Sequence, residues 1–386
     1  MSGADSPVPA PRDTADLLGH AAAERQLLGA WRSGRLPHAW LIGGIPGIGK
    51  ATLAYRFARF ALTQGQSSQG RLTQGGAGQG GGLFGAPPPS ESLHVDPSHP
   101  VYRRIAASGH ADLLTVERPF DEKRGRFKSD IPVDEVRRIA PFLHLTAAEG
   151  GWRVVVVDGA ERMNPAGQNA ILKILEEPPK GALLLLVTEN PGGLLPTIRS
   201  RCRKLMLEPL PETELATLLA RHRPDLSEAD RAALVRLSEG SIGRALDLAV
   251  AGGLDLYREM IGLLSPLPKL DLAALHGWGD RLARRGGDTA WFAATELLVW
   301  WLGRLVRARA RGRLPPEIVP GEAALMERLA AVPGSGGGIG GNGGLDRWIE
   351  VWEKVSRLFT RAESANLDRK QVVLNALLTV EAAAAA

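Results

Sequence analysis

The chain has 386 residues, 44% hydrophobic and 23% charged, with a formal charge of +5 and a pI of about 9.5. This is a globular composition, long enough to bury a core without disulfides or metals, and at ~150 residues per domain it divides into two or three domains. A single cysteine, Cys202, excludes an internal disulfide and any metal site built on several cysteines, and the mild basic excess permits contact with nucleic acid without requiring it.

Residues 1–15 are rich in Pro, Ala and Ser and are expected to be disordered. They carry neither the basic n-region nor the apolar h-region of a signal peptide, and no later run approaches the ~18 apolar residues of a membrane span, so a cytoplasmic chain with no membrane partner is expected. Residues 16–34 place Leu17, Leu18, Leu27, Leu28 and Trp31 at helical spacing, and 38–44 read as a buried strand ending in glycine. A helix follows through Leu53, Phe57 and Phe60. Residues 64–90 hold nine glycines between Gly65 and Gly85 and almost no charge, which predicts a flexible insertion. A strand at 112–116 and a helix starting at 132, limited by Pro141, come next. The run 153–158 is a second buried strand. Asn164 and Pro165 then give an N-cap and a proline at the first helical position. Pro178 and Pro179 stop that helix, 182–188 is a third buried strand, and 204–207 is a short fourth. Beyond residue 211 everything reads as helix, with Ser227 and Ser241 as expected caps and glycine-rich 334–344 as a loop. Six of the nine tryptophans lie beyond residue 270, and Trp348 and Trp352, one turn apart, read as packing residues.

Strands that alternate with helices and read as continuous apolar runs imply a parallel sheet covered on both faces. Between the first strand and its helix lies Gly44-Ile45-Pro46-Gly47-Ile48-Gly49-Lys50, a P-loop in the strand–loop–helix context that such a motif requires. Its backbone N–H groups and the helix N-terminus favour phosphate, and Lys50 adds a full positive charge. The following position normally supplies a hydroxyl to Mg²⁺; here it is Ala51, with Thr52 about 100° further round the helix, able to contact phosphate but poorly placed for the metal. Asp158 ends an apolar strand in the manner of a Walker B acid. The next residue, often glutamate in hydrolysing enzymes, is Gly159. Glu161 lies within reach as a substitute, though a solvated acid is the plainer reading. Two further stretches stand out: 169–179, reading NAILKILEEPP, and Ser200-Arg201-Cys202 after the third strand.

Taken in order, the P-loop, the RVVVVD strand, NAILKILEEPP and Ser200-Arg201-Cys202 resemble the clamp-loader branch of the AAA+ ATPases, subunits that serve bacterial DNA polymerase III. The resemblance covers residues 16–250 well and the remainder as a helical region of suitable length. It implies an α/β P-loop (AAA+) parallel-sheet domain at 16–208, a small helical lid at 209–252 and an all-α C-terminal collar domain at 253–386. Within that branch the resemblance favours a non-motor member, because Ala51, Gly159 and Gly243 stand where hydrolysing members carry a hydroxyl, a glutamate and an arginine, with Arg244 one residue out of register. Arg201 is intact and is implied to be an arginine finger for a neighbour's ATP. Nucleotide contacts, if any, fall to Gly44, Gly47, Gly49, Lys50, Thr52 and Asp158. Binding of ATP is expected to be weak and of doubtful Mg²⁺ dependence, and the chain's own ATPase weak or absent. The family's four-cysteine zinc module has no counterpart here, so no zinc is expected. Partners implied are motor and delta-type subunits in a hetero-oligomer, the sliding clamp, and primed DNA through its phosphate backbone. A motor ATPase using Thr52 and Glu161, and a AAA+ remodelling ATPase outside replication, are the alternatives.

Overall fold

The computed structural model describes residues 10–73, 92–122, 125–149, 151–284, 287–330, 342–365 and 367–385. They fall into two compact units, one of residues 1–222 with 239–243, the other of 223–238 with 244–386.

In the first unit, α1 (Ala21–Arg32) precedes β1 (Ala39–Gly43), and α2 (Lys50–Thr73) follows it. Next come α3 (Pro100–Ala106), β2 (Leu113–Val116) and a small hairpin of β3 (Phe120–Asp121) and β4 (Arg126–Phe127). Then follow α4 (Val133–Arg137), α5 (Ile139–His144), β5 (Arg153–Asp158), α6 (Pro165–Glu176), β6 (Ala182–Thr188), α7 (Pro196–Arg201), β7 (Arg203–Met206) and α8 (Glu212–His222). Five strands form one parallel sheet in the order β2-β5-β6-β1-β7, with Gly43 opposite both Thr188 and Met206. Side chains alternate between two cores. Trp40, Ile42, Val154, Val156, Leu183 and Leu185 face α1, α2 and α3, whereas Leu41, Val155, Val157, Leu184 and Leu186 face α4 to α7. Both faces of the central strands β1, β5 and β6 being dry, period-2 patterning is lost there and these strands read as apolar runs. The result is the expected α/β parallel sheet covered on both faces, with the P-loop between its first strand and the following helix.

Three sequence expectations change. The helix after the P-loop does not end at residue 63 but runs through Thr73, because extending an existing helix costs far less than nucleating one. The rest of the expected insertion, 74–90, lies outside the described residues, as do 1–9 and most of the glycine-rich 334–344. Residues 10–15 are held rather than free: Arg59 donates to the carbonyls of Arg12 and Thr14, and Tyr102 Oη to that of Asp13. Pro141 does not end a helix but sits in the first turn of α5, where its missing N–H would have no helical partner. Ser227 caps a helix through Asp230 N, and the hydroxyl of Ser241 donates to the P-loop carbonyl of Pro46.

The second unit is helical: α9 (Glu228–Leu237), α10 (Ile242–Val250, whose first two residues belong to the first unit), α11 (Gly253–Leu264), α12 (Leu272–Leu282), α13 (Asp288–Arg311), α14 (Glu322–Ala330), α15 (Asn342–Ala365) and α16 (Arg369–Ala385). Its core contains Trp278, Trp301 and Trp348, all essentially inaccessible, while Trp352 is 37% exposed. Buried Glu322 accepts from Tyr257 Oη at 2.6 Å and Ile318 N at 2.9 Å and pairs with Arg304 at 3.1 Å. No helix among the described residues is long and apolar enough to cross a membrane.

Candidate functional site

The P-loop joins β1 to α2. Gly44, Gly47 and Gly49 all have positive φ, which lets the chain wrap tightly before Lys50 opens the helix. Four consecutive carbonyls of the loop are tied down. Lys50 Nζ donates to Ile45 O at 2.6 Å, Ser241 Oγ to Pro46 O at 2.7 Å and Gly243 N to Gly47 O at 2.9 Å. His20 Nε2 lies 2.6 Å from Ile48 O, and since a carbonyl only accepts, that nitrogen carries the proton. The first N–H groups of α2 have no partner within the helix. The loop is thus shaped to receive an anion.

Burial lowers the pKa of Lys50, and Glu189, Asp158 and Glu161 oppose that shift. Asp158, at the end of β5, lines a cavity of about 290 Å³ together with Glu117, Glu161, Glu189, Arg118 and Arg162. Burial pushes its carboxyl up to about 6, reinforced by Glu117 and opposed by Lys50. Sequence reasoning overlooked Glu117 and Glu189. Their signal was positional: each directly follows a strand of the parallel sheet, and ligands of such sheets bind outside the carboxyl ends of the strands. The structure therefore brings Asp158 and Glu161 to one cavity, but Thr52 is not among its walls. Ala51 offers no oxygen to a metal, and among the described residues no group of His, Cys, Asp and Glu is arranged to hold one. Gly44, Gly47, Gly49 and Lys50 fit a phosphate; the residues around them do not supply a full magnesium shell.

The two other blank positions have structural causes. Gly159 is left-handed, with φ 74° and ψ 50°, a conformation that strains a glutamate. At Gly243 a Cβ would stand 2.7 Å from Gly47 Cα, so no side chain fits unless the P-loop moves. Arg244 is engaged within the second unit, pairing with Glu296 at 3.1 Å and lying over the Trp300 ring.

Arg201 is the last residue of α7. Pro196 opens that helix, Ile198 and Cys202 bury its inner side, and burial pushes the Cys202 thiol up to about 12. Arg201 itself is 36% exposed. Its Nη1 donates to Thr197 O at 3.1 Å and its Nη2 meets Glu176 Oε1 at 2.7 Å. Gln168 of α6, also overlooked in the sequence, bridges to the stretch before α7 by donating to Gly193 O and accepting from Leu195 N.

Residues 90–211 match the family described as DNA polymerase III, delta subunit. DNA polymerase III subunit delta' of Escherichia coli K12 is 35% identical over 226 residues, 58% of each chain. That of Pseudomonas aeruginosa is 33% identical over 238 residues, 61% of this chain and 63% of its own. The matched region thus spans less than two thirds of the length of either relative. DNA polymerase III subunit tau/gamma of Haemophilus influenzae is 27% identical over 289 residues, 71% of this chain and 37% of that protein. Among solved structures, a gamma subunit-related protein of Thermotoga maritima is 20% identical, covering 72% of this chain and 88% of its own with a TM-score of 0.32. RuvB of the same organism is 15% identical, covering 76% of each with a TM-score of 0.38. Scores at that level add nothing to the sheet topology; in sequence, the chain is similar over about three fifths of its length to subunits delta' of DNA polymerase III.

Proposed function

We propose that this chain is a non-motor, stator-like subunit of the DNA polymerase III clamp loader, lending Arg201 to the ATP of a neighbouring motor subunit. The observation that carries the reading is a contrast within one unit. Arg201 stands exposed at the end of α7, while the chain's own phosphate site lacks the hydroxyl at Ala51, has a left-handed glycine at 159 and is closed over by Gly243. A guanidinium brought from the next subunit neutralises charge on the transferring phosphate and is worth ~10³–10⁵ in rate. The partners on this reading are motor and delta-type subunits, the sliding clamp, and primed DNA held by its phosphate backbone, in the cytoplasm. The P-loop with Lys50 supports weak nucleotide binding with little dependence on Mg²⁺, Thr52 and Asp158 contributing at most secondary contacts, and with no zinc.

The test is the ATPase of the reconstituted complex. Arg201→Ala is expected to lower it by at least a hundredfold, and the isolated chain to show no Lys50-dependent turnover. Full ATPase in the Arg201→Ala complex refutes the finger; robust Lys50-dependent hydrolysis by the isolated chain makes it a motor instead.

A further inference from the structure

The LEEPP stretch at the end of α6 has no part in the reading above, yet the structure sets it against the finger. We propose that Glu176 is a positioning residue for Arg201. This rests on the finger reading and adds to it what holds the guanidinium in place.

The geometry begins in the core. Ile171, Ile174 and Leu175 of α6 pack in the same cluster as Ile198 and Cys202, so the ends of α6 and α7 are brought side by side by buried contacts. His38, just before β1, has its Nε2 3.1 Å from the carbonyl of Leu175, the residue before Glu176. The Glu177 N–H bonds back to Lys173 O, and the prolines at 178 and 179 prevent continuation. Glu176 therefore leaves a fixed helix end. On the other side, Thr197 O receives both Ser200 Oγ at 3.0 Å and Arg201 Nη1 at 3.1 Å.

Arg201 is thus held at two points, Nη1 by its own helix and Nη2 by Glu176 Oε1 at 2.7 Å. A guanidinium is planar, and two anchors on its two terminal nitrogens define that plane. One of its five N–H groups is hydrogen-bonded, to Thr197 O, and Nη2 is held by the charge of Glu176, which leaves N–H groups for a phosphate. Without Glu176 the carbonyl anchor alone remains and the group pivots about it. The pair is half-exposed, so its value lies in orientation and not in stability.

The experiment uses the complex reconstituted with the clamp-loader subunits of the same organism, assayed for ATP hydrolysis with clamp and primed DNA. Glu176→Gln keeps the size and removes the charge. It is expected to lower kcat about tenfold, a cost typical of a misplaced catalytic group, with KM for ATP within twofold and the chain's melting temperature unmoved. Glu176→Asp should recover at least half the loss, and Glu176→Gln should cost nothing further in an Arg201→Ala background. A kcat within twofold of the parent for Glu176→Gln, while Arg201→Ala abolishes activity, overturns the positioning role and leaves the finger standing. A raised kcat overturns it too, since Glu176 would then restrain the finger. If Arg201→Ala itself retains full kcat, the finger reading fails and this inference with it.

Discussion

Asp158→Asn is expected to stabilise the first unit at neutral pH. The native carboxyl has its pKa raised from 3.8 to about 6, first by burial and then by Glu117, Glu189 and Glu161. The folded state consequently binds a proton more tightly than the unfolded state. The ionised form opposes folding, so stability is greatest below the unfolded pKa and is lost as pH rises from about 4 through about 6. A shift of about 2 units corresponds to about 3 kcal/mol once ionisation is complete at pH 7.5, and to about 1 kcal/mol at pH 4.5. Asparagine carries no charge at either pH, and the other carboxylates cancel between variant and parent. The gain from Asp158→Asn should therefore grow by about 2 kcal/mol between pH 4.5 and pH 7.5. Urea titrations followed by far-UV circular dichroism, with the slope m unchanged, read this directly. A gain that is the same at both pH values, or a loss that deepens with pH, would show that Lys50 outweighs burial and that the acidic cavity is not a strained site.

Glu322→Ala should destabilise the second unit by ~3–5 kcal/mol, since it strands Arg304, itself only 8% exposed, and leaves Tyr257 without its acceptor; Tyr257→Phe should cost only ~1 kcal/mol in the same chemical denaturation. Gly243→Ala should weaken binding of a fluorescent ADP analogue and raise hydrogen exchange at residues 44–50, because its methyl drives into Gly47; unchanged exchange there would contradict the close approach. Asn164→Ala should lower stability by about 1 kcal/mol, as the side chain accepts from Gly167 N at the start of α6, and Asn164→Ser should restore most of it in thermal melts.

The elements legible in the sequence are those set by local chemistry. The valines of β5 and the leucines of β6 announce strands buried on both faces, Asn164 with Pro165 announces the start of α6, and the P-loop is recognisable because strand, glycines and helix adjoin in the chain. Misreadings arose where a residue's local habit was overridden. Pro141 was read as a stop but falls in a first turn. The glycines at 65 and 70 were read as the onset of a flexible stretch but ride on a helix already formed. The hydroxyl of Ser241, expected as a helix cap, donates to a carbonyl 195 residues away in the chain, a contact that no local pattern announces.

That last case marks the division. From the sequence alone follow the parallel sheet, the phosphate loop, the absent hydroxyl at Ala51 and the presence of Arg201, because these depend on residue type and spacing. Only the tertiary structure decides which polar groups meet: His20, Ser241 and Gly243 on the P-loop carbonyls, four carboxylates around one cavity, Glu176 against Arg201. Hydrogen bonds and ion pairs act over about 3 Å and leave no periodicity in the chain. The sheet order that brings distant segments within that range is set by the buried apolar cores, and the polar contacts are decided only once those cores have closed.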